Sequence, residues 1–153
     1  MENNSNGFLI IDKPAGITSH DCVKVIRKIF NTKKVGHGGT LDPAATGVLP
    51  IAIGNSTRLL QYLPGEKTYI ATIQLGKVTS TDDIHGEIIS QQEWPSLEES
   101  FIKDSLNQFK GKIQQQPPII SSVHFEGERS YKKARKGEKF ELPLRSIIIH
   151  KLQ

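Results

Sequence analysis

The sequence has little cysteine and tryptophan and no long apolar run. It contains one Cys and one Trp. A single thiol, Cys22, cannot close an intramolecular disulfide or anchor a zinc finger or an iron–sulfur cluster, so a buried thiol is expected. No segment approaches the roughly 20 apolar residues that span a bilayer, and the polar start MENNSNG does not resemble a secretory signal. These absences predict a cytoplasmic protein without a membrane partner.

The charge is modestly positive and unevenly distributed. Twenty Lys and Arg stand against sixteen Asp and Glu, which gives a net charge of +4. Basic residues are concentrated in the stretches 24–34 and 129–139, on either side of an acidic middle at 82–104. An excess of this size suits a polyanionic partner but is also common among ordinary soluble proteins. The clustering favours a nucleic acid.

Hydrophobic patterning predicts both strands and helices. Strands are expected at 8–11, 48–53, 68–75, 119–125 and 146–152, and the alternation at 68–75 is the clearest. Helices are expected after the capping boxes that begin at Thr18 and Ser96, with shorter helical turns at 56–63 and 130–136. The segment 35–43 shows neither the helical nor the strand periodicity of apolar residues, and it is predicted to be a loop. Strands and helices alternate without a regular βαβ order, which predicts an α+β fold with a mostly antiparallel mixed sheet and flanking helices.

The segment GHGGTLDP is the most unusual stretch of the chain. Glycines surround His37, and Asp42 stands directly before Pro43, which restricts it to an extended conformation. From these residues alone two interpretations stay open, a functional loop and a plain turn with Asp42 as a cap, and plain turns are the more common. No Gly-Lys-Ser/Thr follows, so the segment is not a Walker loop. The scattered histidines show no ligand spacing, and no metal site is expected.

The longer stretch GHGGTLDPAATGVLP is similar along its whole length to the catalytic motif of the TruB family of pseudouridine synthases. Further family-like stretches occur in the same order, namely LIIDKPAGITSHD, NSTRLLQYLPGEKTY, TSTDDIHGEI and QQQPPIISSVHFEGERSYKKARKGE. The resemblance covers nearly everything from 7 to 152. It implies the pseudouridine synthase catalytic fold and the isomerisation of uridine-55 in the TΨC arm of tRNA. It also implies no cofactor and no obligatory protein partner.

The resemblance assigns roles to four residues near the expected active site. Asp42 is the nucleophile, attacking either the base at C6 or the sugar at C1′. Tyr69 packs on the target base and helps remove the C5 proton; without the resemblance it would be a core residue of its strand. His37 helps to fill the space left by the flipped nucleotide, and is otherwise an exposed loop residue. Asp83 matches a family aspartate near the active site, and could equally cap a turn before Gly86.

Other matches are expected to shape the fold or to grip RNA. Lys13 and Pro14 match the KP motif, and Gly38 and Gly39 belong to the catalytic motif; all four are expected to be structural. The segment 111–145 is similar to the family's RNA-gripping insertion. Its residues expected to contact phosphates are Arg129, Lys132, Lys133, Arg135 and Lys136. A charge run on a short helix is otherwise only a solvated face.

The sequence departs from the family pattern at its end. The family continues into a stretch containing GTYIR, whose arginine pairs with the nucleophilic aspartate, and then into a C-terminal RNA-binding module. No residue up to Gln153 matches that arginine. A nearby cation keeps a carboxylate ionised, so its absence predicts weaker catalysis. The chain is therefore expected to be the N-terminal part of a catalytic domain, as a fragment, a truncated reading frame or a decayed copy.

Two rival functions stay open. The first is a catalytically silent RNA-binding or RNA-chaperone fragment that keeps the basic insertion. The second is a guide-RNA-dependent relative that works within a larger particle. The stretch 44–50 is more similar to the stand-alone bacterial enzymes, which favours action on bare tRNA.

Overall fold

The fold was analysed in a computed structural model, which describes residues 5–119, 121, 123–138 and 140–153. The chain divides into two compact units, Met1–Tyr69 and Ile70–Gln153. Every strand pair is antiparallel, and helices lie between the strands in sequence. The predicted α+β class is therefore confirmed, and the described strands form four small sheets. Among the described residues, no helix combines the length and apolarity needed to cross a membrane.

The first unit is built on a three-stranded sheet in the order β1-β3-β2. Its strands are β1 (Gly7–Lys13), β2 (Val35–His37) and β3 (Gly47–Ile53). The predicted strands at 8–11 and 48–53 are thus confirmed. The predicted loop at 35–43 is wrong at its start, because Val35 is buried and lies opposite Ile53 of β3.

Helix α1 (Ser19–Ile29) covers one face of this sheet region with its apolar side. Thr18 caps it and forms the predicted capping box with Asp21. The helical spacing of Cys22, Val25, Ile26 and Ile29 predicts that these residues form the buried face. Val25 is instead 54% exposed, whereas Val23 is 1% exposed. Ile29, also predicted to be buried, is exposed as well. The contact with β3 therefore follows the i, i+3, i+4, i+7 row that begins at Ser19.

The chain then forms a 3-10 helix at Gly54–Tyr62, which confirms the helical turns predicted at 56–63. The strand predicted at 68–75 is wrong: all of these residues are described, and none is in a strand. Alternation predicts which side chains would share a face, but a strand also needs a neighbour for its backbone hydrogen bonds. No strand that the structure describes pairs with this segment, and Ile70 and Ile73 are exposed.

The described part of the second unit contains three antiparallel strand pairs and two helices. Its elements are β4 (Lys77–Thr79), β5 (Ile88–Gln91), α2 (Glu99–Asn107), β6 (Gly111–Gln115), β7 (His124–Phe125), β8 (Glu128–Arg129), α3 (Ser130–Arg135) and β9 (Arg145–Ile149). β4 pairs with β5, β6 with β9, and β7 with β8. Only the pairs β4–β5 and β7–β8 join consecutive strands. The predicted basic helix and the predicted last strand are confirmed.

Two predictions in the second unit need correction. Helix α2 begins at Glu99 with Glu98 as its N-cap and no side-chain cap hydrogen bond, so the capping box predicted at Ser96 is wrong. The strand predicted at 119–125 is reduced to β7; positions 120 and 122 lie outside the described residues. Glu126 and Gly127 form the turn between β7 and β8.

Candidate active site

Asp42 lies in the loop that connects β2 to β3, at the end of the sheet where β1 ends. Its side chain is exposed, and its carbonyl accepts a hydrogen bond from the N–H of Ala45 at 3.0 Å. This bond closes a turn that leads the chain into β3. The carboxylate is therefore presented at the surface by a short, hydrogen-bonded loop.

The residue before Asp42 is fixed by the start of α1. The Ser19 hydroxyl accepts a hydrogen bond from the Leu41 N–H at 2.9 Å and donates one to the Leu41 carbonyl at 3.2 Å. A hydroxyl can do both at once because it carries one donor and two acceptor positions. The Leu41 side chain also packs against the hydrophobic core. Both the backbone and the side chain of Leu41 are thus anchored.

The residue after Asp42 is fixed by the end of β1. The Pro43 carbonyl accepts hydrogen bonds from the Gly16 N–H at 2.8 Å and from the Lys13 Nζ at 3.4 Å. Lys13 is fully buried, and its Nζ also donates to the carbonyls of Pro14 and Ile17, each at 2.8 Å. Carbonyl dipoles compensate the buried charge, as an ammonium group in a protein interior requires.

The glycine pair before Asp42 permits close packing of the segment that leads to Tyr69. A Cβ at Gly38 would lie 2.5 Å from Cδ1 of Leu63, and one at Gly39 would lie 3.4 Å from Cε of Lys67. The 63–67 segment therefore passes directly over these glycines. Tyr69 follows two residues later in irregular backbone and is 61% exposed.

His37 belongs to the same loop region as Asp42. It is the last residue of β2, half-buried, and lies opposite Ile51 of β3. The structure thus brings His37 and Asp42 to one end of the first sheet. Among the described residues, no three His, Cys, Asp or Glu side chains gather as ligands for a metal ion.

Asp83 lies in the second unit, in the turn between β4 and β5. Its Oδ1 accepts hydrogen bonds from the Thr81 hydroxyl at 2.6 Å and from the His85 N–H at 2.8 Å. The hydrogen bond from Thr81 contributes most, and together the two bonds hold the pKa of the Asp83 carboxyl below its usual range. Such bonding is typical of an aspartate that caps a turn, the alternative that the sequence left open.

Lys133, predicted to contact phosphate, is held within the second unit. Its Nζ lies 2.6 Å from Oε2 of Glu126 and 3.7 Å from Oε2 of Glu138. It also lies over the rings of Phe125 and Phe140, at 5.3 and 5.9 Å from their centroids. The two rings stack at 5.5 Å. The bond to Glu126 is the main cause that raises the pKa of Lys133.

The other predicted RNA contacts have different surroundings. Lys136 forms an ion pair with Glu128 at 2.7 Å, which raises the pKa of Lys136. Lys132 is exposed on α3, and Arg129 is half-buried at the end of β8. The side chain of Arg135 is outside the described part of the structure. Lys132 is therefore the member of this set whose exposure best suits a phosphate contact.

Ser19 is a site residue that the sequence analysis did not single out. Thr18 and Ser19 are consecutive hydroxyl residues at the start of a helix, and only one of them can be the N-cap. The second hydroxyl is then available for another partner. The two adjacent hydroxyl residues were therefore the sequence signal that could have identified Ser19.

The chain matches the family model described as TruB family pseudouridylate synthase (N terminal domain) over residues 27–153. It is 60% identical to tRNA pseudouridine synthase B of Prochlorococcus marinus (strain NATL2A), over 95% of this chain and 46% of that protein. It is 59% identical to the protein of the same name from Synechococcus sp. (strain CC9311), over 95% of this chain and 49% of that protein. The chain thus spans about half the length of the curated relatives it matches.

A solved structure supports the same fold. The chain is similar to one in the crystal structure of a Cbf5-Nop10-Gar1 complex, with a TM-score of 0.55 and 28% sequence identity. The match covers 95% of this chain and 33% of that one.

Proposed function

Because the chain belongs to the TruB family of pseudouridylate synthases, we propose that it carries the nucleophile that isomerises uridine-55 in the TΨC arm of tRNA to pseudouridine. The observation that carries the proposal is the presentation of Asp42. Its carboxylate is exposed while the residues on either side are anchored by hydrogen bonds to Ser19, Gly16 and Lys13. Because its backbone is already fixed, a nucleophile held in this way loses little orientational freedom when the substrate binds.

The reaction exchanges one glycosidic bond for another. The bond between uracil N1 and ribose C1′ breaks, a bond between C5 and C1′ forms, and the C5 proton is released while N1 gains one. The change is redox neutral, so a single carboxylate nucleophile suffices to hold the intermediate. Asp42 attacks at C6 of the base or at C1′ of the sugar. An exposed position suits a target base that must first leave its stack.

Tyr69 and His37 assist the flipped nucleotide in this proposal. An aromatic face replaces the stacking that the base loses on flipping, and Tyr69 offers such a face and a possible base for the C5 proton. Its exposure and its place just after the segment packed on the Gly38–Gly39 pair support this role. His37, on the same loop region as Asp42, helps to fill the gap left in the RNA.

The second unit supplies the grip on RNA. The segment 111–145 acts as the insertion that holds the T-arm stem-loop, and phosphate contacts come from exposed cations such as Lys132. Asp83 stabilises its own turn between β4 and β5. No protein partner is required, and a tRNA substrate implies a cytoplasmic site of action.

The test is to incubate unmodified tRNA with the chain or with its Asp42→Ala variant, and to separate the nucleosides after digestion. We expect pseudouridine at position 55 with the wild-type chain and none with the variant. Tight binding of a T-arm hairpin without any pseudouridine, from the wild-type chain, would contradict the proposal. That outcome would favour the silent RNA-binding alternative.

A second candidate is a guide-dependent synthase. It is raised by the similarity to a chain that was crystallised with Nop10 and Gar1. The 60% identity to a relative named tRNA pseudouridine synthase B favours the first candidate. Pseudouridine formed in bare tRNA, with no added protein or guide, would exclude the guided mode.

A further inference from the structure

We propose that Ser19 is a positioning residue that sets the orientation of Asp42 through the backbone of Leu41. Ser19 is 2% exposed, and its hydroxyl oxygen lies 2.9 Å from the Leu41 nitrogen and 3.2 Å from the Leu41 oxygen. The contact joins residues that are 22 positions apart. The catalytic consequence rests on the proposed function, whereas the contact itself does not.

The Ser19 hydroxyl is not needed to begin the helix. Thr18 already caps α1: its hydroxyl accepts from the Asp21 N–H at 3.1 Å, and the Asp21 carboxylate accepts from the Thr18 N–H at 3.0 Å. The two adjacent hydroxyls are thus divided between two tasks. Thr18 serves the helix, and Ser19 reaches the loop.

Holding Leu41 restricts Asp42 directly. The Leu41 carbonyl belongs to the planar peptide group whose nitrogen is that of Asp42, so fixing the carbonyl direction fixes the plane on which Asp42 is built. On the other side, Pro43 keeps Asp42 in extended backbone, and its carbonyl is bound by Gly16. The Ser19 bond therefore controls the direction in which the Asp42 side chain leaves the backbone.

The first experiment compares Ser19→Ala with Thr18→Ala in the full chain. Both variants remove a hydroxyl at the start of α1, but only the first removes the contact with Leu41. We expect Ser19→Ala to lower the single-turnover rate of pseudouridine formation by about 10- to 100-fold, as a small displacement of a catalytic group does. Hairpin affinity should stay unchanged in both variants. An equal loss of rate in the two would assign the effect to helix stability and overturn the proposal.

Ser19→Cys separates hydrogen bonding from packing. Under reducing conditions the thiol keeps most of the volume but is a weak donor and acceptor. We expect its rate to fall close to that of Ser19→Ala. A Ser19→Cys rate equal to that of the wild-type chain would show that only packing matters, which would also overturn the proposal.

Amide exchange tests the contact without relying on activity. The Leu41 N–H should exchange about tenfold faster in Ser19→Ala than in the wild-type chain, because one hydrogen bond is lost, and should be unchanged in Thr18→Ala. If the wild-type chain forms no pseudouridine, the proposed function fails, and this measurement alone decides the contact. Equal Leu41 exchange in all three proteins would refute it.

Discussion

The loop around Asp42 and the basic helix α3 are stabilised by different kinds of contact. Around Asp42 the donors are buried groups that bind backbone carbonyls, chiefly Lys13 and Ser19. Around α3 the contacts are side-chain ion pairs with at least one exposed partner. Lys133, 13% exposed, pairs with Glu126, 66% exposed, and Lys136, 57% exposed, pairs with Glu128, 31% exposed. The first arrangement is insensitive to salt, whereas surface ion pairs are screened by it.

This difference fits the two proposed tasks. A nucleophile needs a fixed geometry, which buried hydrogen bonds to the backbone provide. An RNA-gripping surface needs exposed cations that can meet a phosphate, as Lys132 on α3 can. Under the proposed function, a buried lysine fixes the loop around Asp42 and an exposed lysine contacts RNA, and substitutions can separate the two roles.

The largest effect is expected from Lys13→Met, which keeps most of the volume but removes the charge. The carbonyls of Pro14, Ile17 and Pro43 would lose their shared donor, and we expect the free energy of unfolding of the first unit to fall by about 3 kcal/mol. Urea-dependent amide exchange in β3 measures this. The control Lys33→Met, at an exposed position, should change it by less than about 0.5 kcal/mol. Equal losses of stability in the two variants would show that the buried Lys13 stabilises the first unit no more than an exposed lysine does.

The next effect is expected from Gly38→Ala. The added Cβ would lie 2.5 Å from Cδ1 of Leu63, so the Leu63 side chain must shift, at a cost of about 1 kcal/mol. Gly65→Ala is the matched control, because a Cβ there meets nothing within 4 Å. The same exchange measurement applies. A neutral Gly38→Ala would show that the loop is not tightly packed against this segment.

A smaller effect should distinguish neighbouring lysines of α3. Lys133→Ala loses the ion pair with Glu126 and the contact with two aromatic rings, so we expect a lower melting temperature of the second unit. The affinity for the T-arm hairpin RNA should change little. Lys132→Ala should leave the melting temperature unchanged. It should weaken hairpin binding and reduce the slope of log affinity against log salt by about one. If both variants lose affinity equally, the ion pair of Lys133 opens on binding RNA.

The smallest effect concerns the stability of helix α1 at low pH. Hydrogen bonds from Thr18 and Lys24 hold the pKa of Asp21 well below its usual range. Unfolding restores the ordinary value of 3.8, so the unfolded state binds more protons and the stabilisation is complete only above that value. It is lost as the pH falls through the lowered pKa. Asp21→Asn should reduce the loss of α1 stability at acidic pH, which amide exchange in α1 measures. An unchanged pH dependence of α1 stability in the variant would contradict this.

Some local patterns predicted local structure correctly, although the capping box expected at Ser96 did not form. The cap at Thr18, helix α1 and the strand that became β3 all follow from short-range periodicity and capping chemistry. Long-range contacts were not predictable in this way. The strand expected at 68–75 lacks a partner among the described strands, and the Ser19–Leu41 contact spans 22 positions.

The candidate site was found from the sequence through its motif rather than through its geometry. GHGGTLDP marks Asp42 and His37, but the anchoring role of Lys13 becomes visible only when its Nζ is seen among three carbonyls. In the same way, a row of lysines on α3 gives no sign that Lys133 lies over the stacked rings of Phe125 and Phe140. Such assignments depend on which glutamates and rings the β7–β8 pair and the segment after α3 bring near Lys133.

The central claim is that the chemistry resides in the loop around Asp42 while exposed cations of the second unit hold the RNA. The most direct test is single-turnover tritium release from tRNA labelled at uridine C5, measured at saturating protein with Asp42→Ala and Lys132→Ala beside the wild-type chain. We predict that Asp42→Ala releases no tritium although it binds the hairpin normally, and that Lys132→Ala releases it at the wild-type rate once saturated. Release that persists in Asp42→Ala would contradict the account.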